Sequence, residues 1–237
     1  MNILTDNIFF GIVISLLAFE CGLYISKKTK FPLFNPLLIS ILMIITFLVI
    51  FSVDVDKYNN GAKFINMFLG PATVILAVPL YKQINLLKEN FLPIIIGVLI
   101  GSLVGIISAI FLCFIFGLKN ILTISLLAKS VTTPIGIEIT THLGGLVPVT
   151  VLSIIISGIV GAVVGPSICK LFKIKNKIAV GISIGTASHA VGTTKALELG
   201  ETEGAMSSLS IGIAGLTTVF LAPLCFKLMN ILPFFAK

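Results

Sequence analysis

Long apolar runs, separated by short clusters of lysines and other polar residues, make up most of this chain. A run of about 20 apolar residues is what a helix needs to cross a bilayer, because lipid offers an open backbone no hydrogen-bond partner. The runs predict spans over about 7–25, 31–53, 64–81, 91–116, 146–171 and 205–232, the third interrupted by Gly70-Pro71. The stretch from Asp54 to Lys63 is the most polar and is expected to form a loop. Spans four and five carry glycines at 97, 101, 105 and at 158, 161, 165, a spacing that lets a neighbouring helix approach closely. A β-barrel would instead show alternating segments of about 10 residues.

Two further stretches, about 121–143 and 178–199, have the length of a span but a polar, interrupted centre. The first holds Lys129-Ser130-Val131-Thr132-Thr133-Pro134 and Glu138. The second holds Ser188-His189, Gly192-Thr193-Thr194-Lys195 and Glu198. A shift of 60 residues lays Val131 on Val191, Thr133 on Thr193 and Glu138 on Glu198. Just upstream, Phe116–Asn120 matches Phe172–Asn176 at a shift of 56. Each interrupted stretch follows a glycine-spaced span, so the repeat units are about 91–143 and 146–200. The prediction is an all-α polytopic membrane protein, one transmembrane domain over 1–237. It has about six transmembrane helices plus two re-entrant or broken-helix hairpins forming an inverted repeat.

Composition agrees: 57% of residues are hydrophobic and 11% charged, against roughly 25% charged in soluble domains. The net charge of +7 comes with sixteen lysines and no arginine. Arginine is the residue suited to bidentate phosphate contact, so nucleic acid is not an expected partner; the lysines are read as loop residues that fix topology. If both interrupted stretches are hairpins, Lys27, Lys28, Lys30, Lys82, Lys88, Lys170, Lys173, Lys175 and Lys177 share one side. Lys57, Lys63, Lys119, Lys227 and Lys237 take the other. Nine against five fits the positive-inside tendency and places both termini outside. Broken helices that cross fully are the alternative. The first run lacks a basic leader and a cleavage site and is read as a retained span. Cys21, Cys113, Cys169 and Cys225 are scattered singly, without metal or redox spacing. No nucleotide loop, metal cluster or nucleophile elbow is visible, so neither a cofactor nor an enzyme activity is expected.

The interrupted stretches suit an anion. Proline lacks an N–H and is favoured in a helix's first turn, so Ser130 to Thr133 is expected to be loop and Pro134 to start a half-helix. In the second unit, Gly185-Thr186-Ala187-Ser188-His189 and Gly192-Thr193-Thr194 are expected to form the break. Half-helix N-termini offer free N–H groups and a positive dipole end to a small carboxylate. The hydroxyls of Ser130, Thr132, Thr133, Ser188, Thr193 and Thr194 add hydrogen bonds. Lys129, Lys195 and His189 either complement the anion or carry a coupled proton; alternatively the two lysines pair with Glu138 and Glu198.

Lys129-Ser-Val-Thr-Thr-Pro134, Gly185-Thr-Ala-Ser-His189 and Ala196-Leu-Glu-Leu-Gly-Glu201, followed by Glu203-Gly204-Ala205, resemble the signature of the LrgB/CidB family. Gly70-Pro-Ala-Thr73 with Pro79-Leu-Tyr81 resembles its upstream motif. Ala128 and Ala190 depart from the expected proline and glycine. The resemblance implies a bacterial cytoplasmic-membrane protein with a small LrgA/CidA-like membrane partner, and leaves a homo-oligomer open. It implies one of two functions: transport of small monocarboxylates such as pyruvate or glycolate, or antiholin-like modulation of murein hydrolases and lysis. For a carrier, Thr133→Val or Thr193→Val is expected to abolish transport with expression intact; unchanged flux in both variants would argue against the hairpin site.

Overall fold

The computed structural model describes residues 7–29, 34, 36–68, 71, 74–75 and 77–231, and every regular element among them is helical. Two compact units divide the chain, 1–76 and 77–237. In the first, α1 (Ile8–Thr29) packs against both α2 (Pro36–Ile50) and α3 (Val55–Asn66). Gly11 and Gly61 bring α1 and α3 into backbone contact, since a Cβ on Gly11 would stand 2.8 Å from the Ala62 nitrogen.

The second unit begins with two short helices, α4 (Ala77–Lys82) and α5 (Ile84–Glu89), and continues with α6 (Phe91–Ile115), α7 (Asn120–Leu127), α8 (Thr133–Leu143), α9 (Val147–Leu171), α10 (Lys177–Leu199) and α11 (Glu201–Ile231). Helices α1, α6, α9 and α11 are long and apolar enough to cross a membrane. The chain is thus an all-helical, polytopic membrane protein. Helix α2, on the second expected span, has 15 residues. Most of the break at 70–73 in the third lies outside the described residues.

Asp54 to Lys63, expected to be a loop, is instead the body of α3. The Asp54 carboxylate accepts a hydrogen bond from the Asp56 N–H and so caps the first turn. Such a cap contributes about 1 kcal/mol, which outweighs the weak propensity of a polar sequence. The glycine contact with α1 then places the helix.

Helices α7 and α8 fold back on each other. Ile124 and Ser125 lie against Gly145, and the Ala128 carbonyl lies near Gly136, so the two run antiparallel with 128–132 at the turn. Thr132 takes the N-cap position, with Pro134 in the first turn of α8. The base of this hairpin is tied to the start of α9: the Leu146 N–H donates to Ser125 Oγ at 2.7 Å, and the Thr150 hydroxyl donates to the Ser125 carbonyl at 2.8 Å.

Helix α10 is a second hairpin, bent at one residue. His189 has φ 42° and ψ −137°, a region non-glycine residues rarely adopt. Before it, Gly181 and Gly185 follow α11 in parallel, against Glu203–Met206 and then Ser207. After it, Thr193 bonds back to Ser207 and Leu197 lies against Gly204, so the second half runs down the same stretch of α11 in reverse. The Gly185-to-His189 and Gly192-to-Thr194 break expected from sequence is thus a single sharp turn at His189. Its neighbours on both sides are helical, and the glycines serve close packing.

Helix α6 runs parallel to the first half of α10, with Gly97 against Ile182 and Gly101 against Thr186. Helix α9 runs antiparallel to that half, with Gly165 against Ile184 and Gly161 against Ser188. So α6 and α9 point in opposite directions, and each hairpin opens at the end where its preceding helix stops. Two apolar clusters hold the unit. Ile94 and Val98 pack with Ile182 and Met206, while Ile106 and Ile110 pack with Leu127, Val131, Ala222 and Met229.

Lipid is as apolar as a leucine side chain, so helix association inside it depends on close packing more than on burial from water. A Cβ on Gly161 would overlap the Ser188 side chain, whereas a Cβ on Gly212 would meet nothing within 4 Å. Gly161→Ala is therefore expected to destabilise the detergent-solubilised protein by about 1–3 kcal/mol. Gly212→Ala should leave thermal unfolding unchanged or slightly raised. Equal midpoints for the two variants would refute the seating of hairpin two on α9.

Candidate functional site

Both hairpin tips converge on the middle of α9. Gly136, in the second turn of α8, lies against the Ile154 side chain, and the His189 ring lies on Gly158. His189 is 4% exposed, and its Nε2–H donates to the Ile154 carbonyl at 2.9 Å. A carbonyl only accepts, so the proton is assigned to Nε2. This bond anchors a backbone turn whose conformation costs of the order of 1–3 kcal/mol.

Thr193 is fully buried; its hydroxyl meets the His189 carbonyl at 3.0 Å and the Ser207 hydroxyl at 2.7 Å. Ser188 is 1% exposed against Gly161, and buried Gly192 lies against Ile184 and Ser188. Thr194 is exposed and donates to the Val191 carbonyl at 2.7 Å. Lys195 pairs with Glu198 at 2.7 Å on the exposed face of the helix. Among the described residues of hairpin two, then, the groups singled out from sequence are spent on holding the turn or on a surface ion pair.

Hairpin one is different. Lys129 and Ser130 are half-buried at its turn, with Lys129 Nζ 3.4 Å from Ser130 Oγ. Lys129 has no carboxylate partner among the described residues; Glu138, the partner open to it from sequence, is exposed on α8. Thr132 and Thr133 are half-buried at the start of α8 and Pro134 is exposed.

Lys129 and Ser130 end a cavity of about 610 Å³. One wall is the glycine face of α6, with Pro93, Gly97, Gly101 and Gly105. The other is the first half of α10, with Ile178, Ala179, Ile182, Ser183 and Thr186. Asn90 and Asn176, at the starts of those two parallel helices, stand together at one end. Asn176 also caps α10, accepting from the Ile178 and Ala179 N–H groups. Among the described residues, the buried Thr186 hydroxyl has no hydrogen-bond partner.

The volume is in the range of small-molecule sites, and the lining matches their usual make-up of mostly apolar walls with a few polar groups. Among the described residues, a half-buried ammonium without a carboxylate partner and a buried hydroxyl without a hydrogen-bond partner each cost free energy that an anionic ligand would recover. The sequence points to Lys129 and Ser130 as site residues, but to Thr186 only as part of a helix break, and it does not mark Asn90 or Asn176 as site residues. The signal for Thr186 lay in its register: it stands four residues after Ile182, the spacing that keeps two residues on one face of a helix. Among the described residues no group of three metal-ligating side chains occurs.

A family model described as LrgB-like matches residues 15–228. YxaC of Bacillus subtilis, named as uncharacterised, is 38% identical over 93% of this chain and 96% of its own length. Proteins named antiholin-like protein LrgB, from Bacillus cereus and Bacillus anthracis, are 35% identical over 91% of this chain and 94% of theirs. No solved structure matches.

Because the Thr193 hydroxyl is consumed inside the hairpin, Thr193→Val is expected to act through stability. Loss of its two buried bonds should cost about 1–3 kcal/mol, seen as a lower unfolding midpoint. An unchanged midpoint with abolished flux would return Thr193 to substrate contact.

Proposed function

The chain belongs to the LrgB-like family, and we propose that it carries small monocarboxylates, such as pyruvate or glycolate, across the bacterial cytoplasmic membrane. The observation that carries this reading is Lys129, a cation without a carboxylate partner among the described residues, at the end of a cavity whose polar lining also includes Ser130, Ser183, Thr186, Asn90 and Asn176. A carboxylate fits that end; a short apolar body fits the walls of Gly97, Gly101 and Ile182. The start of α8, opened by Thr132 and Pro134, adds free backbone N–H groups beside Lys129.

The architecture supports the same reading. Units 91–143 and 146–200 each contain a long helix followed by a hairpin, in opposite orientations. Inverted repeats of this kind place the binding site of a transporter near the midplane, at broken helices. In this reading hairpin one supplies the ligand contacts and hairpin two, clamped by His189 and Thr193, supplies a rigid wall. A small LrgA-like membrane protein is the expected partner.

The second reading is antiholin-like control of murein hydrolases, favoured by the names of the Bacillus cereus and Bacillus anthracis relatives. The two readings differ over Lys129. A carrier needs it; a pore regulator acting through assembly does not.

In proteoliposomes, with and without the LrgA-like partner, labelled pyruvate uptake should be saturable and competed by glycolate and lactate. Lys129→Met should lower it at least about tenfold, as expected when a charged contact of 1.5–3 kcal/mol is lost. Full uptake by folded Lys129→Met would move the weight to the lysis-control reading.

A further inference from the structure

The cavity has a direction. Asn90 and Asn176 stand at the end of the second unit where α6 and α10 begin and α9 finishes. Six lysines lie at that end. Lys82 reaches Glu201, the first residue of α11, at 3.3 Å; Lys88 is two residues before Asn90; Lys170, Lys173, Lys175 and Lys177 surround Asn176. The opposite end holds Lys119, between α6 and α7, and Lys227, in the last turns of α11. Of the two other lysines described in this unit, Lys195 is paired with Glu198 and Lys129 ends the cavity. Six against two marks the Asn90–Asn176 end as cytoplasmic, because short lysine-rich loops are retained on that side.

Beyond Lys129 the route is closed. Leu127, Ala128 and Val131 of the hairpin turn pack against Ile106 and Ile110 of α6 and Cys225 of α11, all buried. Between mouth and barrier, α6 lines the cavity with Gly97, Gly101 and Gly105 and with the exposed side chains of Pro93 and Val104. A Cβ on Gly97 would stand 3.7 Å from Ile182 and one on Gly105 4.0 Å from Ser130, so these two positions tolerate a Cβ without strain. Close helix packing therefore does not require glycine at either. Glycine leaves the wall flat at both positions, along a path past the Thr186 hydroxyl, 6% exposed and unpartnered among the described residues, to Lys129, which has no carboxylate partner among them.

We infer that this cavity is the cytoplasmic half of the permeation route: the structure is the inward-open state, Gly97 and Gly105 keep the passage wide enough for a small carboxylate, and the packed turn of hairpin one is the barrier on the external side. The inference rests on the reading of the Lys129 cavity as the substrate site and adds its sidedness, its path and its gate.

The test places one cysteine on the wall, Ser183→Cys, in full-length protein whose exposed native cysteine, Cys21, is replaced by alanine; the same protein without Ser183→Cys gives the background of the three buried cysteines. A membrane-impermeant methanethiosulfonate reagent is applied to intact cells and to inside-out vesicles. Modification should be at least several-fold faster in inside-out vesicles and should be slowed by saturating pyruvate. Gly97→Leu and Gly105→Leu should each slow it, and should cut uptake at least tenfold with the unfolding midpoint unchanged. Modification as fast from intact cells would overturn the sidedness, and normal uptake in both leucine variants would overturn the path. Neither result touches the site itself, whose failure is read separately as normal uptake in Lys129→Met.

Discussion

Backbone that reverses inside a lipid bilayer must find its hydrogen-bond partners in protein, and the second unit depends on how two such reversals are covered. At His189 the chain turns at one residue, in a conformation that favours glycine. The imidazole repays part of that cost by donating to the Ile154 carbonyl, and the Thr193 hydroxyl covers the His189 carbonyl. At 128–132 the turn is wider, and Thr132 is extended (φ −68°, ψ 151°) just before α8 restarts at Thr133. It is covered by Ile106, Ile110 and the end of α11. The tight reversal leaves no room for a ligand. The wide one leaves Lys129 and Ser130 facing a cavity.

Glycine decides where the helices can meet. On α9, Gly158 and Gly161 admit the His189 ring and the Ser188 side chain, while Gly181 and Gly185 let α10 lie on the α11 backbone. On α6 glycines four residues apart do something else: a Cβ on Gly97 or Gly105 would meet its nearest neighbour only at 3.7 or 4.0 Å, so close packing demands glycine at neither. Glycines at i and i+4 mark a smooth face, but whether a helix or a ligand occupies that face depends on what stands opposite. Opposite α9 stand Ser188 and His189; opposite α6 stands a wall that ends at an unpaired hydroxyl.

Much of this was legible in the chain. The spans at 91–116, 146–171 and 205–232 match α6, α9 and α11 to within a few residues, because apolar length in lipid admits few alternatives. Both interruptions were visible as polar residues where lipid would reject them, and Pro134 located the restart of α8. What could not be read was how each polar group is spent. Thr133 and Thr193 look equivalent in the repeat, yet Thr193 bonds to Ser207, 14 residues further along, which is a fact of packing. Lys129 and Lys195 also look alike. Lys195 has a glutamate three residues ahead on one continuous helix and pairs with it; Glu138 lies beyond the hairpin turn from Lys129. The helix at 55–66 is hidden in the sequence by its polar composition, because the Asp54 cap that starts it is a single residue.

The central claim is that Lys129 holds a carboxylate in this cavity. Equilibrium binding of labelled pyruvate to the purified, detergent-solubilised chain tests it most directly, since neither coupling nor a partner has to be reconstituted. The account predicts saturable binding to the wild type that glycolate displaces, weakened at least about tenfold in Lys129→Met and little changed in Lys195→Met, whose side chain is paired at the surface. Equal binding by the wild type and Lys129→Met would contradict it.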